Sequence, residues 1–260
     1  VDNATNALSS LGGITSVARV EGVLFDIDDT LVDLKSAAIK GFHLLTAEDF
    51  ENVPMDERHR IARDYADDGA GAYERYMSGE LTFLGQRVER IKRAYGLAGL
   101  DAPPAEALGG WCASYERAAR SVWAPFPDVH RCLDELDAMG IPYGAVSNNV
   151  ESYQREKLGA AGLERISILV GSDTAGAPKP DPRPFHVGCR LLGTSIGTTL
   201  YVGDNPINDV QGARDAGLIA ILLNRAPDHK NDSGKCIENL ASLPRLIAGN
   251  TRFLGAPGCE

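Results

Sequence analysis

Apolar residues follow two rhythms along the chain. The run Val23-Leu24-Phe25 stops at Asp26, and the spacing predicts a buried strand over 20–25. From Ser36 to about Gly96 the rhythm changes to three- and four-residue spacing. Ile39 and Phe42, Ile61 and Tyr65, and Tyr73, Tyr76 and Met77 mark it, and Leu84, Val88 and Ile91 share one face of the segment 82–95. Pro54, Gly69, Gly71 and Gly79 punctuate helices, and no strand pattern returns before about residue 141. Beyond 128 the two rhythms alternate. Asp128 is read as an N-cap for the stripe Val129, Cys132, Leu133, Leu136 and Met139, closed by Gly140. Strands are predicted at 141–146, 166–170, 199–202 and 218–223. Helices are predicted at 152–161, 184–192 and 209–216, the last closed by Gly217. A last short strand and helix fall around Ile237, Leu240, Leu243 and Leu246, and 250–260 reads as a loose tail.

Alternating strands and helices build an α/β fold with a doubly wound, Rossmann-like parallel sheet. The strand at 20–25 must join that sheet, because it cannot stand alone. About 120 residues separate its end from the end of the next strand, whereas a βαβ unit takes about 30. The surplus is an inserted helical-bundle cap domain, residues 34–122. The core is then built from 1–33 and 123–260.

Charge and composition narrow the partners. The chain has 260 residues with 26 Lys and Arg against 36 Asp and Glu, a formal net charge of −10. That excludes a basic stripe for nucleic acid and argues against docking on anionic lipid. At 43% hydrophobic the chain can form a true core, and no apolar run approaches the ~20 residues of a membrane helix. The opening segment lacks a basic region followed by an apolar one, so it does not read as a secretory signal, and the sequon at Asn3 carries no meaning. Five cysteines, Cys112, Cys132, Cys189, Cys236 and Cys259, form no CxxC pair and have no histidine at zinc spacing. They read as reduced thiols of a cytoplasmic protein.

Ligands of an open parallel sheet bind beyond the carboxyl ends of its strands. Asp26, Asp28, Asp29 and Thr30 follow the first strand there. Ser147, Asn148 and Asn149 follow the second, and Asp204 and Asp209 the fourth. Lys179 lies in the Pro178-Lys179-Pro180-Asp181-Pro182 loop. Carboxylates gathered this closely repel unless a hard cation joins them, and an oxygen-only set on this scaffold suits Mg²⁺ with a phosphate oxygen. A serine and a lysine match the other oxygens of a phosphate. A carboxylate facing phosphorus is a nucleophile, and a second one two residues on can serve as acid and then base.

The segments VLFDIDDTLVD (23–33), YGAVSNN (143–149), GAPKPDPRPF (176–185) and YVGDNPINDVQGARDAG (201–217) resemble the haloacid dehalogenase (HAD) superfamily of hydrolases, with a helical cap after the first motif. The resemblance covers essentially 20–247 and is much weaker in the cap. It implies Asp26 as nucleophile and metal ligand. It makes Asp28 the acid/base, with its carbonyl on the metal. Thr30 supports the turn in the phosphate site, Ser147 binds phosphoryl, and Lys179 neutralises nucleophile and phosphate. Asp204 and Asp209 complete the Mg²⁺ site, and Asn148 and Asn205 touch phosphate or metal waters.

Halide leaves without a proton whereas an alkoxide needs one, so Asp28 favours a phosphatase over a dehalogenase. The expectation is a Mg²⁺-dependent hydrolase of small phosphorylated metabolites, monomeric or homodimeric, acting through an aspartyl-phosphate. A phosphomutase, a 2-haloacid dehalogenase and a non-catalytic binding protein are the alternatives.

The remaining polar residues receive structural readings. Asp29 caps a turn, Asp173 is either a turn residue or orients Lys179 through an ion pair, and Asp134, Glu135, Asp137 and Asp215 are helix-surface charges. His43, His59, His130, His186 and His229 fit no ligand set. Tyr73, Tyr76 and Phe83 read most simply as cap core, with one or two of them pointing at the substrate as the alternative their spacing leaves open. Arg58, Arg60, Arg63, Arg75, Arg87, Arg90 and Arg93 read mostly as solvated helix surface.

Overall fold

The computed structural model describes residues 19–225 and 236–249. The sequon at Asn3, His229, Cys259 and the expected tail at 250–260 lie outside the described residues. Six strands form one sheet: β1 (Gly22–Phe25), β2 (Tyr143–Val146), β3 (Ile168–Val170), β4 (Thr199–Gly203), β5 (Ile219–Leu223) and β6 (Cys236–Ile237). All neighbours pair in parallel, in the order β3-β2-β1-β4-β5-β6. The chain builds outward from β1 through β2 to β3, then returns to β4 on the other side of β1. That reversal makes the β1/β4 boundary the topological switch point, where open α/β sheets take their ligands.

Strand alternation explains two separate cores. Val23, Phe25, Ala145, Leu169, Leu200, Val202, Ile221 and Leu223 face one side. They pack on Val129, Cys132, Leu133 and Leu136 of α6 (Val129–Ala138) and on Leu158 of α7 (Glu151–Ala160). Leu24, Val146, Val170, Tyr201, Ala220 and Leu222 face the other side. There Phe185, Cys189 and Leu192 of α9 (Pro182–Leu192) and Ala213 of α10 (Gly212–Asp215) cover them. Successive strand residues point to opposite faces, so a strand buried on both sides reads as an unbroken apolar run.

Between β1 and β2 the chain forms α1 (Leu34–Leu45), α2 (Met55–Ala66), α3 (Ala72–Met77), α4 (Phe83–Leu97) and α5 (Ala105–Arg120). They bury a cluster of their own built on Phe42, Phe50, Ile61, Tyr65, Ile91, Tyr95 and Tyr115. Tyr73, Tyr76 and Phe83 do not join it. Tyr73 and Phe83 are 49% and 52% exposed; Tyr76 contacts both rings, and Arg87 lies over Phe83. Correct helical spacing placed them on a common face, but that face meets no other helix core. Arg87 and Arg90 depart from the expected solvated surface. Arg87 pairs with Glu116, and Arg90 stacks on Tyr65 at 4.6 Å and donates to its carbonyl.

Two local expectations are corrected. Asp128 precedes α6 without capping it; its Oδ2 instead accepts from Arg225 at 3.1 Å and from the Leu240 amide, tying 225 and 240 to α6. The helix expected at 209–216 starts earlier. Pro206 sits in its first turn and Asn205 Oδ1 accepts from the Ile207 and Asn208 amides. Its opening turn is wide, with the Val210 amide reaching back to Asn205 O, before α10 follows. The chain after β3 also coils into the short α8 (Ser172–Ala175).

Candidate active site

Asp26 leaves the end of β1, and its amide is held by Val202 O of β4 at 2.9 Å. Its carboxylate is 7% exposed. Lys179, 4% exposed, arrives from the loop between α8 and α9. Its three N–H donors are shared among Asp26 Oδ1 at 2.6 Å, Asp209 Oδ1 at 2.6 Å, Tyr201 Oη at 2.9 Å and Val146 O at 3.1 Å. One ammonium thus joins the ends of β1, β2 and β4. Asp209 Oδ2 accepts from the Asn205 amide at 3.0 Å, so both of its oxygens are engaged. Gly203 makes that return possible, because a Cβ there would lie 2.4 Å from the Asp209 carboxyl carbon.

Ligand oxygens of Asp26, Asp204 and Asp209 lie within 4.8 Å of one another. Burial pushes the Asp26 carboxyl well up, and Asp209, Asp28 and Asp204 add to this against the opposing pull of Lys179. Asp204, open to solvent on its outer side, is pushed up to about 7 by desolvation first, then by the charges of Asp209 and Asp29. Lys179 stays firmly charged: burial works against it, but Asp26, Tyr201 and Asp209 more than compensate. Three carboxylates against one ammonium leave excess negative charge on an all-oxygen donor set. That chemistry fits a hard divalent cation.

Asp28 faces a different set of partners. Lys157 forms a short ion pair with its Oδ1, and Gln154 Nε2 donates to its Oδ2 at 2.9 Å. The same Gln154 Nε2 donates to Ser147 Oγ at 2.7 Å. Asp29 adopts a left-handed conformation at φ 58°, which aspartate tolerates better than bulkier residues, and accepts from the Lys35 amide at 2.9 Å. It is a turn residue, as expected.

Other expected site residues have structural work. Thr30 is sealed from solvent, its hydroxyl without a partner among the described residues, while its carbonyl accepts from Arg225. That placement supports the turn and does not offer the hydroxyl to a ligand at the sheet edge. Asn148 clasps the backbone of Lys179: Oδ1 accepts from its amide at 2.6 Å and Nδ2 donates to its carbonyl at 3.0 Å. The amide expected on phosphate instead holds the lysine loop. Asn205 likewise caps its own turn. Asp173 does not orient Lys179; its Oδ1 accepts from the Glu151 amide at 2.8 Å, at the start of α7.

Tyr201, Gln154 and Lys157 escaped the sequence reading. Tyr201 had a signal, a hydroxyl inside an otherwise apolar strand. Gln154, Lys157, Leu158 and Ala161 share one face at 3.6-residue spacing, so two polar residues stand on the inward side of α7. A groove of about 650 Å³ along Met55, Asp56, His59, Arg60 and Arg63 of α2 includes none of these residues.

A family model described as haloacid dehalogenase-like hydrolase matches residues 20–217. The chain belongs to that family. Glyceraldehyde 3-phosphate phosphatase of Methanothermobacter thermautotrophicus is 29% identical over 245 residues, 88% of this chain and 100% of that protein. Phosphoglycolate phosphatase of Rhodospirillum rubrum is 30% identical over 209 residues, 78% and 79% of the two chains. By these relatives the chain falls among the phosphatases of the family. The putative HAD-hydrolase YfnB from Bacillus subtilis superposes with TM-score 0.65 at 24% identity, over 88% of this chain and 99% of that one. L-2-haloacid dehalogenase from Xanthobacter autotrophicus gives TM-score 0.62 at 20% identity, over 88% and 99%. These two likenesses describe the fold. No helix among the described residues is long and apolar enough to cross a membrane.

Proposed function

We propose that this HAD phosphatase hydrolyses small phosphomonoesters at the Asp26 edge, with Mg²⁺ held by Asp26, Asp204, Asp209 and the Asp28 carbonyl. The single ammonium shared by Asp26 and Asp209, with Asp204 in reach, carries the reading. A bound divalent cation would supply charge neutralisation between two anions, carboxylate and phosphate.

In the first step an Asp26 oxygen attacks phosphorus in line. The Oδ–P bond forms as the ester P–O bond breaks. Asp28 gives its proton to the departing oxygen. Lys179 and Ser147 meet the charge on the remaining phosphoryl oxygens. In the second step a water attacks the aspartyl-phosphate, Asp28 takes its proton, and Asp26 departs with inorganic phosphate released.

Residues 34–122 act as a cap that closes over this edge. The exposed rings of Tyr73 and Phe83, with the half-buried Tyr76 between them, belong to that insert. A cytoplasmic setting is supported by free thiols at Cys112, Cys132, Cys189 and Cys236. A placed acid/base residue and a three-carboxylate cluster both favour phosphate esters over haloacids, whose leaving group needs no proton.

Phosphate release from a panel of phosphorylated metabolites, with Mg²⁺ and with EDTA, tests the proposal. Asp26→Asn should lose at least about a thousandfold in kcat/KM. Turnover retained by that variant, or chloride release from 2-chloropropionate without any phosphatase activity, would overturn it.

A further inference from the structure

Lys157 is one of the largest fully buried side chains, 1% exposed, yet it carries a charge. Its ammonium lies over the Trp123 ring at 5.3 Å and the Tyr153 ring at 5.1 Å, and its ion-pair partner is Asp28. An apolar residue would fill this pocket at lower cost, because a buried ammonium must recover its desolvation from good partners. Gln154, one turn earlier on α7, is also fully buried. Its Nε2 spans Asp28 and Ser147, while its Oε1 has no partner among the described residues. Leaving a buried carbonyl oxygen unpaired is costly, so packing alone does not account for an amide here. Each oxygen of Asp28 therefore has its own donor, and both donors come from one face of one helix.

We propose that Gln154 and Lys157 are positioning residues for Asp28. They set the angle of its carboxyl relative to the phosphoryl seat at Ser147, and so decide whether the proton reaches the leaving oxygen. This rests on the proposed function, in which Asp28 is the acid. The same helix is also where the cap touches the core. Tyr153 donates to Glu116 of α5 at 2.8 Å, and Arg120 of α5 pairs with Glu156 at 2.8 Å. Arg87 of α4 pairs with Glu116 as well, so the contact runs from α4 through α5 to the residues flanking Lys157. The clamp on the acid thus stands on the element against which the cap rests.

The test compares leaving groups. For the purified full chain with Mg²⁺, kcat/KM is measured on phosphate esters running from p-nitrophenol, which departs without help, to simple alkyl alcohols, which need a proton. Lys157→Met keeps the packing against Trp123 and Tyr153. Gln154→Leu keeps the ion pair and nearly the same shape. Each should lose about 10- to 100-fold on alkyl phosphates and less than about threefold on the p-nitrophenyl ester, because general-acid help is worth about 10²–10⁴-fold where it is needed. Adding either change to Asp28→Asn should cost nothing further on the alkyl esters, the mark of residues acting through one group.

An equal loss across the whole series, no loss at all, or additivity with Asp28→Asn would overturn the inference. Thermal unfolding of each variant is followed alongside. If Lys157→Met does not fold, Gln154→Leu decides. A wild-type chain inert on every ester would instead remove the proposed function on which the inference stands.

Discussion

The helical insert and the parallel sheet are both well buried, but they are held by different chemistry. The sheet packs aliphatic side chains on two faces and gathers its charged residues at one edge. The insert packs rings. Phe42 touches Phe50, Tyr65 and Trp111, and Tyr65 and Trp111 both meet Tyr115, with centroids 4.9–6.2 Å apart. Its charges are scattered as arginine contacts around that core. A strand delivers its last residue to a fixed place, so chemistry can accumulate at strand ends. A helix bundle has no such common edge, and its polar residues serve mainly to close its surface.

Removing the charge that unites the strand ends should test this contrast most severely. Lys179→Met leaves Asp26 and Asp209 facing each other in a buried site. Urea unfolding should show a loss of about 3–5 kcal/mol, the usual cost of breaking a buried pair, and phosphatase turnover should fall at least about a thousandfold. A fully stable, active variant would mean that the edge is not organised by this ammonium.

Matched glycine changes probe how tightly each region is packed. A Cβ on Gly41 of α1 would meet the Ala119 backbone of α5 at 2.8 and 2.9 Å, and backbone cannot turn aside. Gly41→Ala should cost about 2–3 kcal/mol. On Gly188 of α9 the added Cβ would meet Leu24 Cδ1 at 2.7 Å, the far end of a side chain. There the strain is offset by alanine's better helix propensity, worth about 1 kcal/mol, and the net cost should stay near or below about 1 kcal/mol. Chemical denaturation ranks the two; the reverse order would show that α1 and α5 can separate freely.

Alkaline pH offers the mildest probe. Burial first, with Glu116 adding to it, lifts the Tyr115 phenol to about 12 against the partial opposition of Arg90 and Arg87. Its unfolded value is about 10. Below pH ~10 both states keep the proton and its contribution is whole. As pH rises toward about 12 the unfolded chain releases the proton first, so stability falls. Tyr115→Phe should lessen that alkaline loss, seen as a higher pH midpoint in near-ultraviolet circular dichroism. An unchanged midpoint would place the weak point outside the cap core.

The proposed active edge was largely legible because Asp26 and Asp204 lie directly after strands, and Asp209 and Lys179 in the segments that follow strands. Each local pattern was weak alone; their joint order along the chain was the signal, and they meet. The cap was legible only as helices. Tyr73 and Phe83 sit at the same helical spacing as Tyr65, yet they are exposed and it is buried. Asn148 and Asp173 were placed near the correct edge but given the wrong partners. Their side chains bind backbone, and backbone amides and carbonyls carry no sequence label.

By itself the sequence determined the order of strands and helices, the length of the insert and the run of carboxylates beyond the strand ends. Those are consequences of periodicity and of the short reach from a strand to its own turn. Only the tertiary structure decided that Asp28 is gripped by Gln154 and Lys157, 126 and 129 positions away. It also decided that Tyr201 shares its hydroxyl with Lys179, and that the insert is welded by rings. Periodicity assigns a side chain to a face of its own element. Which distant element packs against that face is settled by the summed burial of the whole chain, and a local pattern does not contain that sum.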